Sequence, residues 1–103
     1  MTLSEVRQAV AEADPHAYHY VAASKGQAYT TWHEYRRQPL WGDGDVAEDG
    51  WAFQVDRFTK VEDDPVAEAI WRTLKANRRL TVTHLVLPDP GGYIHHVFQC
   101  EGK

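Results

Sequence analysis

Residues 51–75 carry the clearest pattern of apolar and polar positions, and the period of that pattern changes partway along. Apolar side chains alternate with polar ones from Trp51 until Phe58 interrupts the alternation, which is typical of a strand with one buried face. Between Val66 and Leu74 the apolar side chains recur every four residues, which is the spacing of a helix that buries one stripe. The stretch therefore predicts a strand and a helix that fold against each other.

Both predicted helices have recognisable N-termini. Thr2 and Glu5 fit a capping box, in which each side chain accepts a hydrogen bond from the backbone N–H of the other residue. Before the second helix, Asp63 or Asp64 can act as the N-cap. Pro65 suits the first turn of that helix because its missing N–H would have no partner there. These signals mark where both helices begin.

The rest of the chain supplies one more helix and four more strands. A narrow apolar stripe predicts the helix over residues 2–13, and Asp14-Pro15 ends it. Residues 16–23 make a plausible short strand, and aromatic and β-branched residues predict a stronger strand over 28–36. Near the C-terminus, two strands flank a compact Pro-Gly turn and form a hairpin. Those strands are predicted over residues 80–87 and 93–100.

The predicted element order is α-β-β-β-α-β-β. This order indicates an α+β fold with a mainly antiparallel sheet of four to five strands and two helices packed on one side. At 103 residues the chain is expected to form a single domain, residues 1–103. Its apolar fraction of 43% is that of a globular protein rather than a disordered one.

Residues 37–50 are the least regular part of the chain. Three glycines, a proline and four acidic residues lie there between two predicted strands, so we expect a long hairpin with a loose tip. Loops of this length are usually functional or disordered. Leu40 and Trp41 are unexpected residues in a solvent-exposed loop. The sequence therefore predicts an interaction surface made of Arg36, Arg37, Leu40, Trp41, Asp43, Asp45, Glu48 and Asp49.

Composition and charge narrow the class of protein. The formal net charge of −4 argues against a nucleic-acid-binding protein, which usually carries a basic face. Aromatic residues are numerous for this length, and some are expected at a subunit contact because Trp and Tyr are enriched in interfaces. No apolar run approaches the ~18 residues of a membrane span, and the N-terminus lacks the basic start and apolar core of a secretory signal. We therefore expect a protein of the producing cell's cytoplasm without a membrane partner.

Candidate catalytic and metal-binding residues are few. His95 and His96 are adjacent, so they face opposite sides of a strand, and His84 could meet one of them across the C-terminal hairpin without an obvious third metal ligand. The single Cys100 cannot form an intramolecular disulfide. The acidic run lacks the spacing of a calcium loop, and neither G-x-S-x-G nor a glycine-rich phosphate loop occurs. The sequence therefore predicts no enzyme, no catalytic residues, no metal and no cofactor.

Three stretches of the chain carry a family resemblance. They are AYHYVAASKGQAYTTWHEY at 17–35, AEDGWAFQVDRFTK at 47–60 and DDPVAEAIWRTLK at 63–75. In this order, with a helix before them and an aromatic-rich hairpin after them, the chain resembles the small tail-completion proteins of long-tailed bacteriophages and prophages. These are the proteins of the tail terminator, or head-to-tail joining, type. The resemblance spans residues 15–100, and the segment 37–46 departs from the loop that is usual in the family.

The resemblance implies a structural virion protein that assembles as a ring, usually of six copies, at the head-proximal end of the tail tube. Such a ring stops polymerisation of the tube and forms the interface for head–tail joining. The implied partners are further copies of the chain, the major tail tube protein and head–tail connector proteins, while DNA passes through the lumen without specific binding. The implied location is the virion tail, after synthesis in the host bacterial cytoplasm. Neither enzymatic activity nor a cofactor is implied.

Two other functions remain open from the residues alone. One is a small dimeric α+β domain that binds a ligand or regulates another protein, which requires an enclosed apolar pocket. That pocket would be lined by Tyr18, Tyr20, Trp32, Trp51 and His84. The other is a small enzyme of the ferredoxin-like barrel type with His84 or His95 as a base, which requires a histidine with a perturbed pKa inside a cleft.

Overall fold

The structure, a computed structural model, describes residues 1–42 and 45–102, and it describes side chains for residues 1–39 and 49–102. Two helices and five strands follow the predicted order, which confirms the predicted α+β fold class. Their bounds are α1 Leu3–Ala13, β1 Tyr18–His19, β2 Ala28–Gly42, β3 Asp45–Thr59, α2 Pro65–Ala76, β4 Leu80–Pro88 and β5 Ile94–Gly102.

All five strands form one sheet in the order β1-β2-β3-β5-β4. Every neighbouring pair is antiparallel except β1 and β2, which are parallel over two residues. Strand β5 lies between β3 and β4, so the chain crosses the sheet through α2 before it forms the C-terminal hairpin. The outer edge of β4 is one border of the sheet.

Both helices pack on the same face of the sheet, which we call the helix face. Apolar stripes of α1 and α2 contact the alternate residues of β3 and β5 that point to this side. Phe53 and Phe98 are fully buried at the centre of this core, with Ile70 and Leu74 of α2 above them. The opposite side, which we call the open face, has no helix against it among the described elements.

The predicted helix caps are confirmed. The Thr2 hydroxyl accepts a hydrogen bond from Glu5 N at 3.1 Å, and the Glu5 carboxylate accepts one from Thr2 N at 2.9 Å. Asp64, rather than Asp63, is the N-cap of α2, and its carboxylate accepts a hydrogen bond from Val66 N at 3.2 Å. Both caps depend on residues close in sequence, which is why the sequence alone predicts them.

The strand predicted over residues 16–23 is much shorter than expected. Only Tyr18 and His19 pair with β2, because Tyr20 has a φ of +70° and turns the chain away from the sheet. This left-handed conformation is uncommon for a residue with a side chain. The Tyr20 N–H donates to the carbonyl oxygen of Trp32 at 2.8 Å, which holds the turn against β2.

The long hairpin expected over residues 37–50 is confirmed for the described residues, although its strands extend much further than predicted. The tip that was expected to be loose includes residues 43–44, which lie outside the described residues. Strands β2 and β3 continue their antiparallel pairing out to Gly42 and Asp45, with register shifts between Glu34 and Arg36 and between Leu40 and Trp41. The glycine-rich and acidic composition is typical of a loop. Pairing nevertheless satisfies the backbone N–H and C=O groups that point between the two strands, whatever the side chains are.

The paired residues 36–42 and 45–50 form a projection that we call the arm. Strand β5 ends opposite Trp51, so β2 is the only described strand that pairs with β3 over residues 45–50. On its other side, β2 is paired with β1 only at Thr31 and Trp32. The arm is therefore a two-stranded ribbon that extends beyond the five-stranded sheet and contributes to a longest dimension of 49 Å.

Candidate interaction surface

The base of the arm is fixed on the open face by an ion pair across β3. Arg36 and Glu101 lie on either side of Ala52 in the strand register. The Arg36 Nη2 atom donates to Glu101 Oε1 at 2.8 Å, although both side chains are about half exposed. Exposed ion pairs stabilise proteins little, at about 0–1 kcal/mol. The pair still covers Ala52, which is buried, and it defines where the arm leaves the sheet.

On the helix face, Arg37 ties the arm to the N-terminus of the chain. Its guanidinium carbon lies 4.9 Å from the centre of the Trp51 ring, and its Nη1 atom lies 3.6 Å from Asp49 Oδ2. The N-terminal ammonium of Met1 donates to the carbonyl oxygen of Asp49 at 3.3 Å. A surface cleft of about 500 Å³ lies among these residues and is also lined by Thr2 and Leu3.

The structure brings part of the predicted interaction surface together. Arg36, Arg37 and Asp49 surround the base of the arm, where each arginine has an acidic partner within its own chain. Leu40, Trp41, Asp45 and Glu48 lie on the strands of the arm, but their side chains are outside the described part of the structure. Asp43 lies outside the described residues altogether.

An aromatic cluster on the open face was not predicted from the sequence. Tyr29 and Phe58 stack with ring centres 4.7 Å apart, and Phe58 stacks on His95 at 4.1 Å. Tyr93 meets the Tyr29 and Phe58 rings edge-on. Tyr29, Phe58 and His95 fall in one row of the strand register, which continues to Leu87 on β4, and Tyr93 lies just before β5. The signal in the sequence is Phe58, which breaks the alternation because it is an apolar residue on the open face.

His95 is held within this cluster by a carboxylate. Its Nε2 atom lies 2.7 Å from Asp56 Oδ1, and Gln54 Nε2 donates to the same oxygen at 2.8 Å. Asp56 is buried, so these contacts satisfy a carboxylate that would otherwise be costly to remove from water. These hydrogen bonds hold the His95 ring in place, and the side chains of the aromatic cluster are partly exposed.

A second polar cluster fixes β1 to β2. Glu34 accepts a hydrogen bond from the Tyr20 hydroxyl at 2.6 Å, and Glu34 Oε2 lies 2.7 Å from His19 Nε2, whose ring stacks on Trp32 at 4.0 Å. Burial alone would raise the pKa of Glu34, but the hydrogen bonds from Tyr20 and His19 outweigh it and lower the pKa to about 2. Glu34 therefore remains a carboxylate in the neutral pH range, and its contacts explain why Tyr20 keeps its left-handed conformation.

The predicted meeting of histidines across the C-terminal hairpin is confirmed for His96. The His84 Nε2 atom lies 2.9 Å from His96 Nδ1 on the helix face, beneath the ring of Trp71. His95 points to the open face, as the alternation of strand residues requires. His96 Nε2 is buried and has no hydrogen-bond partner in the structure. Among the described side chains, no group of three His, Cys, Asp or Glu converges to hold a metal ion.

We expect the histidine pair to make the folded state less stable in acid. Burial lowers the pKa of His84 and of His96 below the ordinary value of 6.5, although Glu68 and Asp64 act in the opposite direction. The unfolded chain therefore binds protons first as the pH falls below about 6.5, and the free energy of unfolding decreases from there through the lower folded-state pKa values. Urea denaturation at pH 7.5 and at pH 5 measures this difference.

Two variants separate the pair from the other titrating groups. Replacing both histidines with leucine should remove about half or more of the stability difference between the two pH values, because carboxylates account for the remainder at lower pH. The matched control is His16→Gln, since His16 is exposed on the connection after α1. An unchanged pH profile in the double variant would show that the buried pair is not responsible.

The pocket expected for a ligand-binding domain does not form from the predicted residues. Tyr18 and His84 lie on β1 and β4, at opposite borders of the sheet, and Trp51 lies near the base of the arm. Trp32 is covered by Arg7 of α1 and by His19. A different cleft, of about 400 Å³, lies between the 24–30 segment and the start of α2. Its lining includes Asp14, Tyr18, Lys25, Tyr29 and Arg57.

Comparisons with known proteins do not identify a family or a function for the chain. No protein-family model matches the chain, and no curated protein matches it significantly. Neither helix of the described residues is long and apolar enough to cross a membrane. The arm and the aromatic cluster of the open face are the two surface features that bear on function.

Proposed function

We propose that the protein is a subunit of a ring in the tail of a long-tailed phage or prophage. The ring, usually of six copies in the family that the sequence resembles, caps the head-proximal end of the tail tube. There it stops polymerisation of the tube and forms the interface for head–tail joining. The observation that carries the proposal is the arm, which leaves the sheet as a ribbon without a third strand among the described residues.

The arm is built in a way that favours a partner. A two-stranded hairpin is marginally stable by itself in water, and three or more strands are usually needed. The sequence of the arm includes the apolar Leu40 and also Trp41, an aromatic residue of the kind that is enriched where proteins meet. A projecting element that contacts a different surface on the next copy makes a head-to-tail contact, and such contacts form a ring when the rotation from one copy to the next closes. We therefore assign the arm to the contact with a neighbouring subunit or with the tail tube.

The open face offers a complementary surface for such a contact. Its aromatic cluster of Tyr29, Phe58, Tyr93 and His95 is partly exposed. Aromatic side chains supply large contact areas, and they are enriched at the centres of interfaces. The acidic residues of the arm would suit a lumen through which DNA moves, because negative charge does not attract phosphates. The partners proposed on this basis are further copies of the chain, the major tail tube protein and the head–tail connector.

Electron microscopy of the concentrated protein, alone and with tail tubes from the phage or prophage that encodes it, tests the proposal. We expect closed rings, either free in solution or at one end of each tube. A variant in which residues 39–49 are replaced by an Asn-Gly turn joins Gln38 to its register partner Gly50. It should keep its fold, because the described core lies outside the arm, and it should lose the rings.

A control is Arg72→Ala, which removes an exposed side chain of α2 outside the arm and should leave the rings intact. Circular dichroism and thermal unfolding show whether each variant is folded. Rings that persist without the arm would exclude the assigned contact. The absence of rings both in solution and on tail tubes would overturn the proposed function.

A further inference from the structure

We propose that two copies of the chain pair through their β4 strands, so that the two sheets join into one continuous sheet of ten strands. The inference does not rest on the proposed function, because it follows from the edges of the sheet. An edge strand presents unpaired N–H and C=O groups and is a template for another strand, so most proteins protect such edges. The two borders of this sheet differ in that respect.

The border formed by β1 and β2 carries several protective features. Strand β1 is only two residues long, and β2 has a register irregularity between Glu34 and Arg36. Beyond that point the border carries Arg36, Arg37 and Pro39. Very short edge strands, bulges, charged side chains and prolines are the devices that prevent strand addition. This border is therefore a poor partner for a further strand.

The border formed by β4 lacks these features. Strand β4 has the sequence LTVTHLVLP, with no acidic or basic residue other than His84 and with its proline at the last position. It pairs with β5 without a register shift along its whole length. Its outer edge has no partner in the described sheet. The consecutive side chains of Leu85, Val86 and Leu87 are 44%, 54% and 47% exposed, which is unusual for three adjacent aliphatic residues.

A second copy of β4 is the occupant that best fits this border. A two-fold axis perpendicular to the sheet makes two β4 strands antiparallel and keeps the helices of both copies on the same face. With Val86 at the axis, Leu85 of each copy lies opposite Leu87 of the other on the open face. Pairing with the β2 border would instead place these aliphatic side chains near Arg36 and Arg37. Self-pairing also covers the β4 edge of both copies, so association through this edge stops at two copies.

The dimer would protect the β4 edge of each copy before the chain joins a larger assembly. Each copy keeps its β4 edge covered, which removes the border most prone to non-specific strand addition. The aromatic clusters of both copies then lie on one extended open face, because Leu87 ends the register row that contains Phe58 and His95. The arm is not used in this pairing and stays available for other contacts.

Light scattering coupled to size-exclusion chromatography over a dilution series tests the pairing. We expect a dimer for the unaltered protein. Val86→Lys should raise the dimer dissociation constant at least about tenfold, because two lysines would meet at the axis. The matched control is Val61→Lys, since Val61 is a similarly exposed valine (58%) in the segment after β3, and it should leave the dimer unchanged.

Oxidative cross-linking tests the register. Val86→Cys should form a disulfide between two copies, whereas Val61→Cys should not. The native Cys100 does not interfere, since it is fully buried and burial raises the pKa of its thiol to about 12. A monomeric unaltered protein, or a dimer that survives Val86→Lys and does not cross-link through Val86→Cys, would overturn the inference. If rings form but Val86→Cys does not cross-link, the β4 dimer is contradicted and the proposed ring is not. If β4 dimers form but rings never do, the proposed function is contradicted and the β4 dimer is not.

Discussion

Phe98→Ala is expected to lower the free energy of unfolding by about 3–5 kcal/mol, the range measured for removal of a buried aromatic ring. Phe98 is fully buried at the centre of the helix face. Val55 lies opposite it on β3 and His84 on β4, and the ring centres of Phe98 and His84 are 4.5 Å apart. The substitution removes the packing of the ring and leaves a cavity that both helices and the sheet enclose. Urea denaturation at pH 7.5 measures the loss.

Two substitutions place this result in context. Tyr35→Ala removes a half-exposed ring at the irregularity of β2 and should change the free energy of unfolding by less than about 0.5 kcal/mol. Phe58→Ala removes a partly buried ring from the open face and should have an effect between these two. If Phe98→Ala cost no more than Tyr35→Ala, the core would not lie between the helices and the sheet as described.

Asp64→Ala is expected to cost about 3–5 kcal/mol, because it leaves a buried charge without its partner. The Arg57 Nε atom donates to Asp64 Oδ2 at 2.7 Å, and the two side chains are only 11% and 6% exposed. The same carboxylate caps α2 by accepting a hydrogen bond from Val66 N. A lost N-cap alone costs about 1 kcal/mol. Urea denaturation should therefore show a loss larger than a cap can explain.

The variants around Asp64 distinguish the ion pair from the cap. Asp63→Ala is the neighbouring control, since Asp63 is exposed and is not the N-cap, and it should change stability by less than about 0.5 kcal/mol. Replacing Arg57 and Asp64 together with leucine should cost less than the two single changes summed, because no unpaired charge is then buried. An additive double variant would show that the two side chains do not interact.

The ion pair also predicts the behaviour of the protein at acidic pH. Burial would raise the pKa of Asp64, but the hydrogen bond and the charge of Arg57 lower it below the ordinary value of 3.8. A carboxylate with a lowered folded-state pKa stabilises the fold above its unfolded pKa, and that contribution is lost as the pH falls through the folded value. Loss of stability near pH 4 and below is therefore expected from Asp64, whereas the effect of the buried histidine pair begins as the pH falls below about 6.5.

The elements that depend on nearby residues could be predicted well. The capping box of Thr2 and Glu5, the Asp64 cap and the four-residue spacing of apolar side chains in α2 are local patterns, and all three are confirmed. The C-terminal hairpin is confirmed for the same reason, since two strands joined by a short turn pair with each other. The meeting of His84 with His96 follows from that hairpin, although the sequence could not choose between His95 and His96.

The features that depend on distant partners could not be predicted in the same way. Composition indicates a long hairpin over residues 37–50 but not how far its strands pair, and the pairing that begins at Ala28 and Thr59 continues to Gly42 and Asp45. The aromatic cluster needs Tyr29, Phe58 and His95 from three strands, and only the register aligns them. The contacts of Glu34 and the turn at Tyr20 also require two strands that are separated in the chain.

Short stretches of the chain therefore determine the order of helices and strands, the positions of the helix caps and the apolar stripes that face the core. Local spacing and capping act over a few residues, so they can be recognised without a fold. The pairing of distant strands decides three other features: the length of the arm, the row of aromatic rings on the open face and the difference between the two borders of the sheet. Residues 51–75 contribute the central strand β3 and the helix α2 to the core, whereas the surfaces proposed for contact arise from pairings that join those residues to the rest of the chain.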